Sequence, residues 1–288
     1  MNFTKMHGLG NDFIVIADLP RLPEDASERA VAWCNRFFGI GADGVVYILP
    51  SERADFQMRI FNADGSEAEQ CGNAIRCVAK YAFDERLTDR REMTIETLAG
   101  VQTVRVNVAG GKAATVRVDM GRPVLKGTEV PTTIDRDPVI GHPIEVAGRQ
   151  FTFTAVSMGN PHCVIHVDDA AGFDLHRWGP LIEIHPYFPN KVNVEFVTVR
   201  SRDRIDMRVW ERGAGPTLAC GTGACAALVA SVLNGFTDRS ATVSLPGGDL
   251  FIEWSDRDGH VYMTGPAAFV YRGTTIETTA GPVRGGET

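Results

Sequence analysis

Met58-Arg59-Ile60-Phe61, followed by Cys71-Gly72, returns 149 residues later as Met207-Arg208-Val209-Trp210, followed by Cys220-Gly221. The same offset, without a gap, lays Gly10-Asn11 on Gly159-Asn160, Val15-Ile16 on Val164-Ile165, and Gly44-Val45 on Asn193-Val194. Cysteine and methionine are rare residue types, so coincidence explains these matches poorly. Self-similarity at a fixed offset is the signature of a duplicated structural unit. The chain therefore reads as two half-chains of similar structure that face each other.

The local patterns repeat as well. Each half has a Gly-Asn turn beside an alternating strand (13–16; 163–167), then a strand ending in an aromatic, Phe61 or Trp210. A glycine-bearing loop, a cysteine and a helix follow. After Cys71, apolar residues fall at 74, 75, 78, 79 and 82, which is helical spacing. The run 223–233 after Cys220 is small and apolar on all sides, as in a helix enclosed by a sheet, and Asn234-Gly235 is its stop signal. A further helix is predicted over 27–38, ending at Gly39, and strands over 93–97, 103–108, 114–119, 242–245 and 250–254. Few segments read as crossover helices, so the sheets should be largely antiparallel. The expected fold is α+β: two pseudo-symmetric halves, each a curled, mostly antiparallel sheet around a central helix. Residues 1–121 with 266–280 form one half, 122–265 the other, and 281–288 a loose polar tail.

Bulk properties narrow the function. A net charge of −7 gives no basic footprint, so nucleic acid is not an expected partner. No apolar run approaches the roughly 20 residues that span a bilayer. The first residues lack a signal peptide's apolar stretch, so the expected location is the cytoplasm. There the six cysteines should be thiols rather than bridges.

Both repeated cysteines precede a glycine that opens a helix. The first N–H groups of a helix lack partners and carry partial positive charge, and glycine lets an anion approach closely. The same field favours a thiolate, so both thiols are expected to ionise more readily than a free cysteine. Two such starts converging on one cleft could anchor an α-carboxylate and put a sulfur on each face of the α-carbon. One sulfur would remove a proton and the other would return one, which inverts the centre. Cys77 and Cys225 point about 120° and about 140° away from Cys71 and Cys220 at 100° per helical residue, so they read as core residues, as do Cys34 and Cys163.

With these residues in place, the chain closely resembles the diaminopimelate epimerase family, from Lys5 to about Val270. The shared stretches are Lys5-Met6-His7-Gly8-Leu9-Gly10-Asn11-Asp12-Phe13, Phe61-Asn62-Ala63-Asp64-Gly65-Ser66, Gln70-Cys71-Gly72-Asn73, Met158-Gly159-Asn160-Pro161-His162, Glu211-Arg212-Gly213-Ala214-Gly215 and Ala219-Cys220-Gly221-Thr222-Gly223-Ala224-Cys225. The resemblance implies interconversion of LL- and meso-2,6-diaminoheptanedioate on the route to lysine and peptidoglycan, without cofactor or metal, in a homodimer. It implies Cys71 and Cys220 as acid and base. Gly72, Asn73, Gly221 and Thr222 would hold the reacting carboxylate and Glu211 the reacting ammonium. Asn11, Asn62, Asn160, Asn193 and Arg212 would hold the distal end, with His162 and Glu211 tuning the cysteines. Some members carry glutamine where this chain has Gly44, and many carry glutamate where it has Pro216.

Other readings fit less well. Proline and hydroxyproline racemases share the two-thiol logic but lack the Phe-Asn-Ala-Asp-Gly-Ser stretch, and they carry Cys-Gly-His where this chain has Cys71-Gly72-Asn73. The spacings Cys71–Cys77 and Cys220–Cys225 do not match zinc knuckles, and there is no Cys-x-x-Cys redox motif.

Overall fold

The computed structural model describes residues 1–276; the expected tail at 281–288, and residues 277–280 before it, lie outside the described residues. Four helices, α1 (Ala26–Cys34), α2 (Gly72–Asp84), α3 (Leu175–Glu183) and α4 (Gly221–Leu233), are set among strands that join into one hydrogen-bonded system. The offset of 149 carries α1 onto α3 and α2 onto α4 end to end.

The strand order repeats in the same way. Each half contains an antiparallel hairpin, Asn2–Gly8 with Asn11–Ile16 and Arg149–Ser157 with Pro161–His166, and in the second half the strand His142–Val146 precedes it and pairs antiparallel with Arg149–Ser157. Each half then crosses through α1 or α3 to a parallel strand, Gly44–Leu49 or Asn193–Ser201. An antiparallel return follows, Phe56–Asn62 or Arg204–Glu211. A second crossover, through α2 or α4, reaches Glu92–Thr97 or Ser240–Leu245, again parallel. Antiparallel hairpins close each half. The two halves meet where Val261–Gly265 runs antiparallel to Lys112–Asp119. We propose the division at 121/122 and 265/266; the return of Ala268–Thr274 to pair with Asn2–Gly8 supports it.

Both long helices lie inside. The helix α4 is apolar all round because it is enclosed all round: Ala224 to Ala230 are fully buried. Each large apolar side chain buried this way contributes roughly 1.5–3 kcal/mol. The helix ends as its sequence predicts, with Gly235 in the left-handed region and Phe236 N–H bonded to Ser231 O at 2.9 Å. The helix α2 packs into the same core cluster through Ala74, Ile75, Val78, Ala79 and Ala82.

Two local expectations fail for identifiable reasons. The first helix stops at Cys34 rather than Phe38, because the Asn35 side chain accepts the N–H groups of Phe37 and Phe38, each at 2.9 Å. The helix α3 has no counterpart in the sequence reading, since Gly179 and Pro180 break its pattern. Gly179 is required there: a Cβ would stand 2.6 Å from the Trp210 ring.

Candidate active site

Cys71 and Cys220 hold extended backbone as the residues just before α2 and α4. The two helix starts face each other. A Cβ added to Gly221 would stand 4.0 Å from Gly72 Cα and 2.9 Å from Met263 Sδ, and one added to Gly72 would stand 2.9 Å from Met263 Cε. Only glycine permits that approach without displacing Met263.

A cavity of about 1010 Å³ opens over this junction, lined among others by Cys71, Cys220 and the starts of both helices. Of the residues singled out in the sequence, Asn11, Asn62, Gly72, Asn73, Asn160, Glu211, Arg212, Gly221 and Thr222 also line it. Two do not. Asn193 is buried behind it, donating to Pro161 O at 2.8 Å and accepting the Arg212 N–H at 2.9 Å. His162 is fully buried, with Nδ1 2.7 Å from Glu195 Oε1 and Nε2 2.9 Å from Asn160 Oδ1. The Asp43-Gly44 stretch divides: Asp43 lines the cavity, whereas a Cβ at Gly44 would strike Phe61 O at 2.8 Å.

The two sulfurs have different surroundings. Cys71 is half-buried, with Sγ 3.8 Å from Asn11 Oδ1. Cys220 is buried; its Sγ accepts the Gly223 N–H at 3.3 Å and lies 3.5 Å from Thr222 Oγ1. The expectation that the helix field alone would leave these thiols acidic is not met. Burial pushes the Cys71 thiol up, against the pull of the Ala74 and Asn73 N–H groups and the Arg76 charge. Burial pushes Cys220 well up, and the Glu211 and Glu195 carboxylates add to it, outweighing Thr222 and Gly223. Desolvation of a thiolate buried this deeply exceeds what two or three amides return. Cys77 and Cys225 are fully buried and pushed up to about 12, as core thiols should be.

Burial also raises the Glu211 carboxyl, which accepts a hydrogen bond from Thr217 Oγ1. The Arg212 guanidinium is exposed, donates only to Asn190 O at 3.3 Å and has no carboxylate partner among the described residues. The sequence reading left the Asp43-Gly44 stretch open and missed Arg36, Arg76, Arg122 and Glu195. Two had a signal: Arg76 interrupts the apolar run of α2, and Glu195 interrupts the apolar part of the strand Asn193–Ser201. Among the described residues, no group of three or more His, Cys, Asp or Glu could hold a metal ion, and no helix is long and apolar enough to cross a membrane.

Comparison with known proteins identifies the family. The sequence pattern of a family described as diaminopimelate epimerase matches residues 3–126 and 154–270. A diaminopimelate epimerase of Desulfitobacterium hafniense is 54% identical over 284 residues, covering 96% of this chain and 99% of the relative. One from Acetivibrio thermocellus is 56% identical over 273 residues, covering 95% and 98%. Among solved structures, a phenazine biosynthesis protein of the PhzF family from Bacillus anthracis superposes with a TM-score of 0.69 at 14% identity, covering 96% of this chain and 99% of that one. A hydroxyproline epimerase from Agrobacterium vitis does so with 0.69 at 16% identity, covering 95% and 91%. These two likenesses concern the fold alone. With matched segments in both halves and relatives more than half identical along nearly their whole length, the chain belongs to the diaminopimelate epimerase family and is an amino-acid epimerase.

Proposed function

We propose that this enzyme interconverts LL- and meso-2,6-diaminoheptanedioate with Cys71 and Cys220 as paired acid and base. The observation that carries the reading is the close approach of two helix starts at Gly72 and Gly221, where a Cβ added to Gly221 would already touch Gly72 Cα, each start preceded by a cysteine at one cavity. A carboxylate placed between them faces the free N–H groups of both helices. Asn73 and Thr222 complete that end, and Glu211 takes the reacting ammonium.

One sulfur, as thiolate, takes the α-proton; the opposite thiol gives its own proton to the other face. The enolate-like charge that develops is stabilised by the helix-start amides. The turnover leaves thiol and thiolate exchanged between the two cysteines, which is the form that runs the reverse direction. Positioned acid–base catalysis supplies about 10²–10⁴-fold per group. Because burial holds both thiols up, bound substrate also assists ionisation. Its ammonium against Glu211 offsets one of the charges that oppose a thiolate at Cys220.

Asn11, Asn62, Asn160 and Arg212 hold the distal amino-acid end, with Asn193 acting from behind through the Arg212 backbone and His162 through Asn160. On this reading the enzyme works in the cytoplasm, in lysine and peptidoglycan precursor synthesis, as a homodimer and without a cofactor. The test is incubation with LL-diaminoheptanedioate in D₂O without additions, following α-deuterium and the meso isomer together. Deuterium entering without any meso product would refute inversion by two bases.

A further inference from the structure

Arg76 is fully buried, yet no carboxylate pairs with it among the described residues. Its donors reach neutral oxygens: Gly72 O at 2.8 Å, Pro266 O at 3.1 Å and Asn73 Oδ1 at 2.7 Å. Burying a cation without a counter-charge is costly, so its place calls for a reason. The bond to Asn73 supplies one.

A guanidinium only donates, so the Asn73 side chain must turn its oxygen to Arg76 and its NH₂ the other way. That NH₂ lies 3.2 Å from Asn11 Oδ1 and 3.4 Å from Ala219 O in the other half. Asn11 in turn donates its own NH₂ to Asp43 Oδ2 at 2.8 Å. A carboxylate only accepts, so the far end has the same polarity as the near end. The two ends settle the orientation of both amides by chemistry alone. Asp43 is itself held, by Arg36 Nη2 at 2.7 Å on one oxygen and by the Asp12 N–H at 3.1 Å on the other. The consequence falls on Cys71: the group facing its sulfur at 3.8 Å is the Asn11 oxygen, an acceptor.

We propose that Arg76 and Asp43 are positioning residues that clamp the two ends of a one-way hydrogen-bond chain, Arg76 to Asn73 to Asn11 to Asp43, and so present an acceptor to the Cys71 thiol and keep it the proton donor of the resting enzyme. The significance for turnover rests on the reading of Cys71 as an acid and base. The offset of 149 lays Asp43 on Val192, Asn73 on Thr222 and Arg76 on Cys225, so the second half has no such chain. There the matching Asn160 is anchored by His162, which Glu195 holds in turn.

The experiment is alkylation by iodoacetamide across a pH series without substrate, with Cys71 and Cys220 quantified separately by peptide mapping. The charged groups facing Cys71 are Arg76 on its own helix and Glu211 on the strand Arg204–Glu211, with Cys220 across the cavity. Asp43→Ala and Asp43→Asn remove the same charge, so a purely electrostatic role treats them alike. Only the asparagine offers a donor that lets Asn11 turn its NH₂ toward the sulfur, which favours thiolate. The expected result is a Cys71 midpoint roughly half a pH unit lower in Asp43→Asn than in Asp43→Ala, the scale of one neutral hydrogen bond. The Cys220 midpoint stays the same in both. Adding Arg76→Lys keeps the charge but loses the fork, frees Asn73, and should widen the gap. Equal Cys71 midpoints in the two Asp43 variants would overturn the chain, and no widening with Arg76→Lys would remove Arg76 from it. If the double variant does not fold, the two Asp43 variants decide alone. An active Cys71→Ala enzyme together with the expected midpoints would sink the proposed function and leave the chain standing.

Discussion

The two helix starts share a backbone and differ in charge. Across the offset of 149, Phe13 faces His162, Val46 faces Glu195, Asn62 faces Glu211 and Ala63 faces Arg212. In the opposite sense, Arg76 of α2 falls on Cys225 of α4. Glu211 acts on both sulfurs, but Cys71 has a buried cation and an oriented amide pair beside it, whereas Cys220 has the Glu195 carboxylate, with His162 bonded to it. Duplication built the scaffold; substitutions in one layer around the cleft made its ends unequal. A substrate with two amino-acid ends needs that inequality, since one end must react while the other is held.

The largest effect tests what the halves have in common. Cys71→Ala and Cys220→Ala should each lower kcat/KM by at least about 10³-fold, and the double variant should be little worse than either, because paired groups act as one unit. Retention of a tenth of the activity in either single variant would break the equivalence of the two sulfurs.

The next effect tests where they differ. Ala63 cannot bind an anion, whereas Arg212 offers a planar fork with no carboxylate partner among the described residues. Arg212 is exposed where it lines the cavity, so Arg212→Met should lower kcat/KM for diaminoheptanedioate about 10- to 150-fold, the scale of one hydrogen-bonded contact to a charged group. L-Lysine, which lacks the distal carboxylate, should be a poor substrate, slower by at least the factor lost in Arg212→Met. The comparison of α-deuterium exchange for both compounds in both proteins decides it. Comparable exchange of lysine by the unmodified enzyme would remove Arg212 from its role, and Arg122, which also lines the cavity, would be tested next.

Much of this was legible in the sequence, and the misses are physical. The offset of 149 identified both long helices, both cysteines and the paired strands, because buried periodicity leaves a trace in residue type. Applied to the helix at the start, the same offset lands on α3 end to end, and only the local signals of Gly179 and Pro180 hid it. The rise of both thiols was not legible. It depends on how much protein surrounds each sulfur and on Glu195, which lies 25 residues before Cys220 in the chain. Arg76 was visible as an odd residue in an apolar helix, but its bond to Asn73 needed coordinates.

The pH profile sharpens the comparison further. Both thiols are raised, so both retain protons at neutral pH, and the one-thiolate form is scarcer than the roughly 3% of an ordinary cysteine at pH 7. The catalytic form therefore increases as pH rises. kcat/KM should climb by nearly tenfold per unit from pH 6 through 8, then fall when the second thiol or the substrate ammonium loses its proton. The two limbs belong to the coupled pair. A flat profile from pH 6 to 10 would contradict raised thiols and the two-base reading alike.

The smallest effect isolates one charge. Glu195 is fully buried; Oε1 meets His162, and Oε2 has no partner. Its carboxylate is among the groups that push Cys220 up and is not among those that act on Cys71. Gly223 is required beside it, since a Cβ there would stand 2.8 Å from Glu195 Oε1. Glu195→Gln keeps the volume and an acceptor for His162 and removes the charge. The Cys220 thiol should then come down while Cys71 stays, because the lost charge belongs to one side of the cleft. The ascending limb of kcat/KM should move to lower pH by less than about one unit, each unit being 1.36 kcal/mol of differential interaction. The new amide has no acceptor at the Oε2 position, a cost of about 1–3 kcal/mol, so a fall in Tm of a few degrees is expected and leaves the enzyme folded at 25 °C. Alkylation midpoints read separately for the two cysteines distinguish this from general loosening, which would move both. If Cys71 shifts as far as Cys220, the charge of Glu195 is not local to one half, and the inequality of the two sulfurs has another source.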